Sequence, residues 1–218
     1  MSTMNLIFDI DGTMWNTTGI IADAWKAAVL STGEDVDTSN VTADRLKQEF
    51  GKTMDVIFHN VFPDITDENV LQEFTDRCIE AEDKTLGALT YEEADSIIAD
   101  GVAPTLKELS KHHRLFIVSN CQLGYIELFT GRSRTSELFE DTLCYGDTGT
   151  GKGETILTLM AKNGLKAEDT FYIGDTNGDF EASNYAGIRM VFCEYGFGMV
   201  EGAYKNIRSF PELLEIFG

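Results

Sequence analysis

Leu6-Ile7-Phe8-Asp9-Ile10-Asp11-Gly12-Thr13 is the stretch from which the rest of the chain is read. Three apolar residues run directly into two acids spaced two apart, and a glycine turn follows at once. A parallel strand covered on both faces reads as a continuous apolar run, and ligands in open α/β sheets sit outside the carboxyl ends of such strands. Asp9 and Asp11 therefore stand where a buried strand gives way to a cleft. Two carboxylates brought together there repel unless a cation sits between them or one keeps a proton. An aspartate-rich turn that merely caps the following helix fits these eight residues about as well, because Asp and Gly are ordinary turn residues.

Bulk properties narrow the classes. The 218 residues suffice for one to two domains with a core that needs no disulfides. Apolar residues make up 43% and charged residues 25%, as in a soluble globular protein. The formal charge of -20 argues against nucleic acid or an anionic membrane as partner, since either calls for a basic patch. An enzyme of this charge acting on an anion needs local cations to overcome its own field, and a divalent metal would supply them. Cys78, Cys121, Cys144 and Cys193 lack CxxC spacing, so reduced thiols are expected. With no apolar run of membrane-spanning length and no leader-like start, the expectation is a cytoplasmic protein.

After Thr13 the pattern is helical to about residue 95. Residues 16–30 place Ile20, Ile21, Ala24, Trp25 and Ala28 on one face, with Gly33 as a stop. Thr42 and Thr53 can cap two short helices, and Thr66 a longer one with Val70, Leu71, Phe74 and Cys78 on one face and Gly87 beyond its end. Residues 15–95 carry 18 Asp and Glu against 6 Lys and Arg, which reads as a solvated acidic face and leaves Arg45, Lys47 and Lys52 as the cations near a helix junction. From residue 100 helix and strand alternate, the mark of an α/β fold with a parallel sheet. Pro104 starts a helix that ends in a basic cluster, where His112 and His113 read as capping its dipole. Leu115–Val118 is a buried strand ending in Ser119-Asn120, Thr142–Tyr145 a third, Phe171–Ile173 a fourth and Ile188–Phe192 a fifth, with a closing helix at Phe210–Phe217. Gly196 and Gly198 read as an ordinary turn.

Four strand ends carry polar groups in order. Ser119-Asn120 can cradle phosphate with a hydroxyl and backbone amides, or simply cap a helix. Gly146 to Lys152 has the spacing of a P-loop, yet Gly153 stands where that motif needs Ser or Thr to hold magnesium. Gly174-Asp175-Thr176-Asn177-Gly178-Asp179 ends the fourth strand with an acid pair. Together these resemble the four motifs of the haloacid dehalogenase superfamily, most of all its phosphoglycolate phosphatase-like members. The resemblance implies a Rossmann-like parallel-sheet core (residues 1–15 and 96–218) with an α-helical cap domain (residues 16–95) inserted between the first two motifs.

It further implies a magnesium-dependent phosphomonoester hydrolase working on a small phosphorylated metabolite, phosphoglycolate-like or a sugar phosphate, as monomer or homodimer. Asp9 would be the nucleophile that forms an aspartyl-phosphate, and Asp11 the general acid and base. Ser119, Asn120 and Lys152 would bind the phosphoryl group. Mg2+ would be held by Asp9, the Ile10 carbonyl and Asp175, with Asp179 in support. The acid at Asp11 disfavours dehalogenase chemistry. A phosphomutase of the same family and a P-loop-like nucleotide-binding protein using Lys152 stay open as alternatives. Asn16, where many relatives carry an acid, Met14, Trp15 and Gly153 depart from the usual pattern on the substrate side. Lys52, after Gly51, is similar to the imine-forming lysine of the family's phosphonate hydrolases, but the favoured reading is a surface lysine.

Overall fold

A computed structural model describes residues 3–218. Six strands, β1 (Asn5–Phe8), β2 (Arg114–Ser119), β3 (Asp141–Cys144), β4 (Thr170–Gly174), β5 (Arg189–Cys193) and β6 (Lys205–Ile207), form one sheet in the order β3-β2-β1-β4-β5-β6. Every pairing is parallel. The first strand is central, between β2 and β4, so the strand order turns back beside it and opens a crevice at the carboxyl ends of β1 and β4. β1, β2, β4 and β5 read as apolar runs because both faces are covered. Leu6 and Phe8 pack into one buried cluster and Ile7 into another, with Phe116, Val118 and Tyr172.

Between β1 and β2 lie α1 (Thr18–Leu30), α2 (Ala43–Glu49), α3 (Met54–Val61), α4 (Glu68–Ala88) and the short α5 (Tyr91–Asp95). A row of rings holds this helical insertion together: Trp25 to Phe58 at 4.6 Å, Phe58 to Phe62 at 5.7 Å and Phe62 to Phe74 at 6.5 Å between centroids. Each such contact adds about 0.5–1.5 kcal/mol to the area these rings bury. The remaining helices, α6 (Val102–Leu109), α7 (Tyr125–Ser133), α8 (Tyr145–Thr148), α9 (Lys152–Asn163), α10 (Asn177–Tyr185) and α11 (Leu213–Phe217), connect and flank the strands.

Several local expectations need correction. Asp67, not Thr66, caps α4, its carboxylate accepting from the amides of Asn69 and Val70. Gly87 lies inside the last turn of α4, since Leu86 is buried and keeps the helix packed for one more turn. His113 is no dipole cap. It is buried, with Nδ1 accepting from the Met4 amide at 3.1 Å and Nε2 donating to the Phe217 carbonyl at 2.6 Å, so it ties the entry of β1 to α11. The sixth strand was not foreseen, because three residues with two exposed give no apolar run. The closing helix begins as a 3-10 turn at Phe210–Glu212.

Candidate active site

Four loops converge at the carboxyl edge of the sheet. The Asp9 amide still donates to the Ile173 carbonyl at 2.9 Å, which holds the turn after β1 against β4. Beyond it the chain curls tightly, Met14 donating to the Ile10 carbonyl at 2.7 Å, and Gly12 takes a φ of +77°. A Cβ on Gly12 would lie 2.1 Å from Asp175 Oδ2, so glycine is required there on both counts. The turn thereby sets Asp9 beside Asp175, the residue that follows β4.

Lys152, the first residue of α9, reaches into this cluster and is 5% exposed. Its Nζ stands 2.6 Å from Asp179 Oδ1 and 3.2 Å from Asp9 Oδ1. Burial works against its charge, but the carboxylates of Asp179 and Asp9 more than offset this and raise its pKa. The same burial pushes Asp9 up to about 7, with Lys152 opposing and the charges of Asp179 and Asp11 adding to the rise. Asp175 is raised by burial and then by Asp179 and Asp9.

The two acids after β4 differ in their free valence. Asp179 is fully engaged: Oδ2 accepts from the Asp175 amide (3.1 Å), the Thr176 amide (2.9 Å) and the Thr176 hydroxyl (2.8 Å), and Oδ1 takes Lys152. Asp175 accepts from the Thr13 hydroxyl at 3.2 Å and the Phe197 amide at 2.7 Å. Gly196 closes the expected turn, its amide donating to the Cys193 carbonyl at 3.1 Å, and with Gly198 it does more than turn the chain. A Cβ on Gly196 would lie 2.2 Å from Asp175 Cβ, and one on Gly198 2.8 Å from the Asp175 carbonyl oxygen. The segment lies on Asp175 as a strap, and only glycines allow the approach.

Asp9, Asp175 and Asp179 each offer a buried carboxylate oxygen within 4.8 Å of the others. Three buried carboxylates with one lysine leave a deficit of positive charge, and Asp9 Oδ1 lacks a well-aligned hydrogen bond despite the nearby Lys152. A hard divalent cation with oxygen ligands fits this donor set. Asp9 and Asp175 have lone pairs to offer, whereas Asp179 orients Lys152 and the backbone of the β4 loop.

Asp11 borders, with Asp9, a small half-open cavity of about 30 Å³ whose wall also includes Lys52, Glu82, Ser119, Asn120 and Tyr125. Its Oδ1 accepts from the Tyr125 hydroxyl at 2.7 Å and the Thr17 hydroxyl at 3.2 Å. Burial raises Asp11 to about 6, and these two hydrogen bonds hold it from rising further. Ser119 is buried on the cavity wall. Asn120 sends its side-chain Nδ2 to the Gly51 carbonyl at 2.8 Å, so it links the sheet edge to the insertion. Asn16 accepts from the Thr18 amide and hydroxyl and serves as a cap of α1. Of the cations in the insertion, Arg45 and Lys52 both bind the buried Glu49, at 2.8 and 2.6 Å, and Lys47 lies 3.9 Å from Asp44.

Two participants escaped the sequence reading. Tyr125 follows Ser119 by six residues across an irregular loop, and no spacing rule marks it. Glu82 left a signal: Cys78, Glu82 and Leu86 fall at intervals of four along α4, which puts a carboxyl on the buried stripe.

Comparison with known proteins agrees with this geometry. Over 98% of its length the chain is 26% identical to the phosphoglycolate phosphatase of Photorhabdus laumondii, covering 92% of that protein. The fold matches a predicted phosphoglycolate phosphatase from Haemophilus somnus with a TM-score of 0.86 at 17% identity, covering 100% of this chain and 99% of the other. It also matches a haloacid dehalogenase-like family hydrolase from Streptococcus pneumoniae with a TM-score of 0.79 at 17% identity, over 99% of both chains. The model of the haloacid dehalogenase-like hydrolases matches residues 6–193, and with that span the chain belongs to this family.

Proposed function

We propose that the protein is a magnesium-dependent phosphomonoester hydrolase, with Asp9 as nucleophile and Asp11 as general acid and base. The observation that carries this reading is the convergence on Asp9 of a buried lysine at 3.2 Å and two further buried acids, beside a second carboxyl held by Tyr125 and Thr17. The relatives named as phosphoglycolate phosphatases support the same class. A carboxylate attacks phosphorus only when the repulsion between the two anions is neutralised. Lys152 supplies one positive charge at Asp9, and a magnesium ion at Asp9, the Ile10 carbonyl and Asp175 would supply the rest by drawing charge from the phosphoryl oxygens.

In the first step an Asp9 oxygen forms a bond to phosphorus while the bond to the ester oxygen breaks, and Asp11 gives its proton to the leaving alkoxide. In the second, Asp11 takes a proton from water, the water oxygen bonds to phosphorus, and Asp9 is released with orthophosphate. The pKa of Asp11, near 6, suits both duties around neutral pH. Ser119 and Lys152 would hold the phosphoryl oxygens, with Asn120 contributing its backbone amide. The insertion would serve as a cap: the cavity of about 30 Å³ has room for only a few water molecules, so a substrate would enter when the insertion swings from the sheet edge and the Asn120 to Gly51 contact opens.

The nucleotide-binding alternative is not favoured, because the lysine it requires is locked between Asp9 and Asp179 and residues 145–148 form a short helix. Phosphate release from p-nitrophenyl phosphate tests the proposal. Release should require magnesium and fall at least about a thousandfold in Asp9→Asn. Equal release by both proteins would refute it, and transfer to a sugar without release would point to the mutase.

A further inference from the structure

Glu82 is not needed for the chemistry above, yet it is the deepest charged group that the insertion presents to the cavity. It is 3% exposed. Its Oε2 accepts from Trp25 Nε1 at 3.0 Å and its Oε1 from Gln122 Nε2 at 2.9 Å. Both partners are neutral donors, so the side chain is fixed in place without a counter-ion. Among the described residues lining the cavity Lys52 is the one cation, and its Nζ is committed to the buried Glu49, which also holds Arg45 and Asn60. Glu82 is thus a cavity-lining carboxyl held by two neutral donors, with no cation bonded to it among the described residues.

We infer that Glu82 selects the leaving alcohol: the substrate is a phosphomonoester whose alcohol portion carries a hydroxyl or ammonium donor, and not a carboxylate. Each carboxyl oxygen of Glu82 has one donor and room for a second, so a donor on the substrate adds a hydrogen bond that an ester lacking it cannot make. Where Glu82 is ionised, a carboxylate in the same place adds a third anion to Asp11 and Glu82. Burial, with Asp11 as a further contributor, raises Glu82 to about 8, so the carboxyl is mostly ionised in an assay at pH 8.5. This inference rests on the phosphatase reading and goes against glycolate as the leaving group.

Three esters on one two-carbon frame test it: 2-hydroxyethyl phosphate, phosphoethanolamine and 2-phosphoglycolate, assayed at pH 8.5 with magnesium beside p-nitrophenyl phosphate. For the wild type, kcat/KM for the better of the two donor esters should exceed that for 2-phosphoglycolate at least about tenfold. In Glu82→Gln, which keeps the shape, that ratio should shrink at least about fivefold, with circular dichroism and thermal melting confirming the fold. The two donor arms tell hydroxyl from ammonium recognition. A wild-type preference for 2-phosphoglycolate, or a ratio unchanged in folded Glu82→Gln, overturns the inference. Should Glu82→Gln fail to fold, the wild-type ratio alone decides. Asp9-dependent hydrolysis of p-nitrophenyl phosphate with a flat ratio sinks only the role of Glu82, whereas no Asp9-dependent hydrolysis of any ester sinks the phosphatase reading with it.

Discussion

Replacing Lys152 by Met removes the one cation among the buried acids while keeping a side chain of similar length against the Tyr172 ring, which lies 5.8 Å from Nζ. The ammonium is 5% exposed and sits within 3.2 Å of Asp9 and 2.6 Å of Asp179. Breaking a buried pair by removing one partner costs about 3–5 kcal/mol, because the orphaned charges cannot be rehydrated. That is about a fifth or more of the whole stability of a typical domain. The cost depends on pH. Lys152 is charged in both folded and unfolded chains throughout the range from 5 to 8, so the dependence comes from the acids. Without the lysine, Asp9 rises above the value of about 7 it has beside that cation, and the folded variant binds protons more tightly than the unfolded chain. Its stability therefore recovers as pH falls and is poorest above neutrality. Urea denaturation in EDTA at pH 8 and pH 5 measures this, and added magnesium should restore part of the loss by binding the folded form alone. A variant within about 1 kcal/mol of wild type at pH 8 in EDTA would refute the idea that the site is short of positive charge.

Two further substitutions probe the surroundings. Gly196→Ala places a methyl 2.2 Å from Asp175 Cβ, and overpacking of this kind costs about 1–3 kcal/mol. It should also raise the magnesium concentration needed for half-maximal activity, whereas Gly19→Ala in α1, with open space around it, should leave stability equal or higher. Tyr125→Phe removes a 2.7 Å hydrogen bond that lowers the pKa of Asp11. Losing a bond to a charged group is worth about 1.5–3 kcal/mol, so the limb of the pH–rate profile that reports Asp11 should move up by about one unit or more. An unmoved limb would show that Tyr125 does not set the ionisation of Asp11.

The parallel sheet was legible because its central strands are covered on both faces and so appear as apolar runs, β1, β2 and β4 leading to Asp9, Ser119 and Asp175, while the half-buried β3 leads to the turn before Lys152. Their order along the chain, matched to the family's four motifs, pointed these groups to one cleft, and the central position of β1 is what brings them there. Contacts between distant segments were not legible. Gly196 and Gly198 gave only a turn signal, since their closeness to Asp175 depends on how the loop after β5 folds back over β4. His113 reads as a helix-end cation until Met4 and Phe217 are seen on its two nitrogens. Glu82 shows the difference best: the acidic count of residues 15–95 hides one carboxyl that the spacing of Cys78 and Leu86 draws into the interior.

The most direct test of the account is to catch the covalent intermediate. Asp11→Asn retains Asp9 and Lys152 but cannot take the proton from water, so an activated aryl phosphate, which needs no acid to depart, should leave its phosphoryl group on the enzyme. Acid quenching after a single turnover followed by peptide mass spectrometry should find one phosphoryl group on the peptide that contains Asp9. The same experiment with Asp9→Asn should find none. A phosphoryl group on any other residue, or free phosphate released with no labelled peptide in a variant that turns over at the wild-type rate, would contradict nucleophilic attack by Asp9.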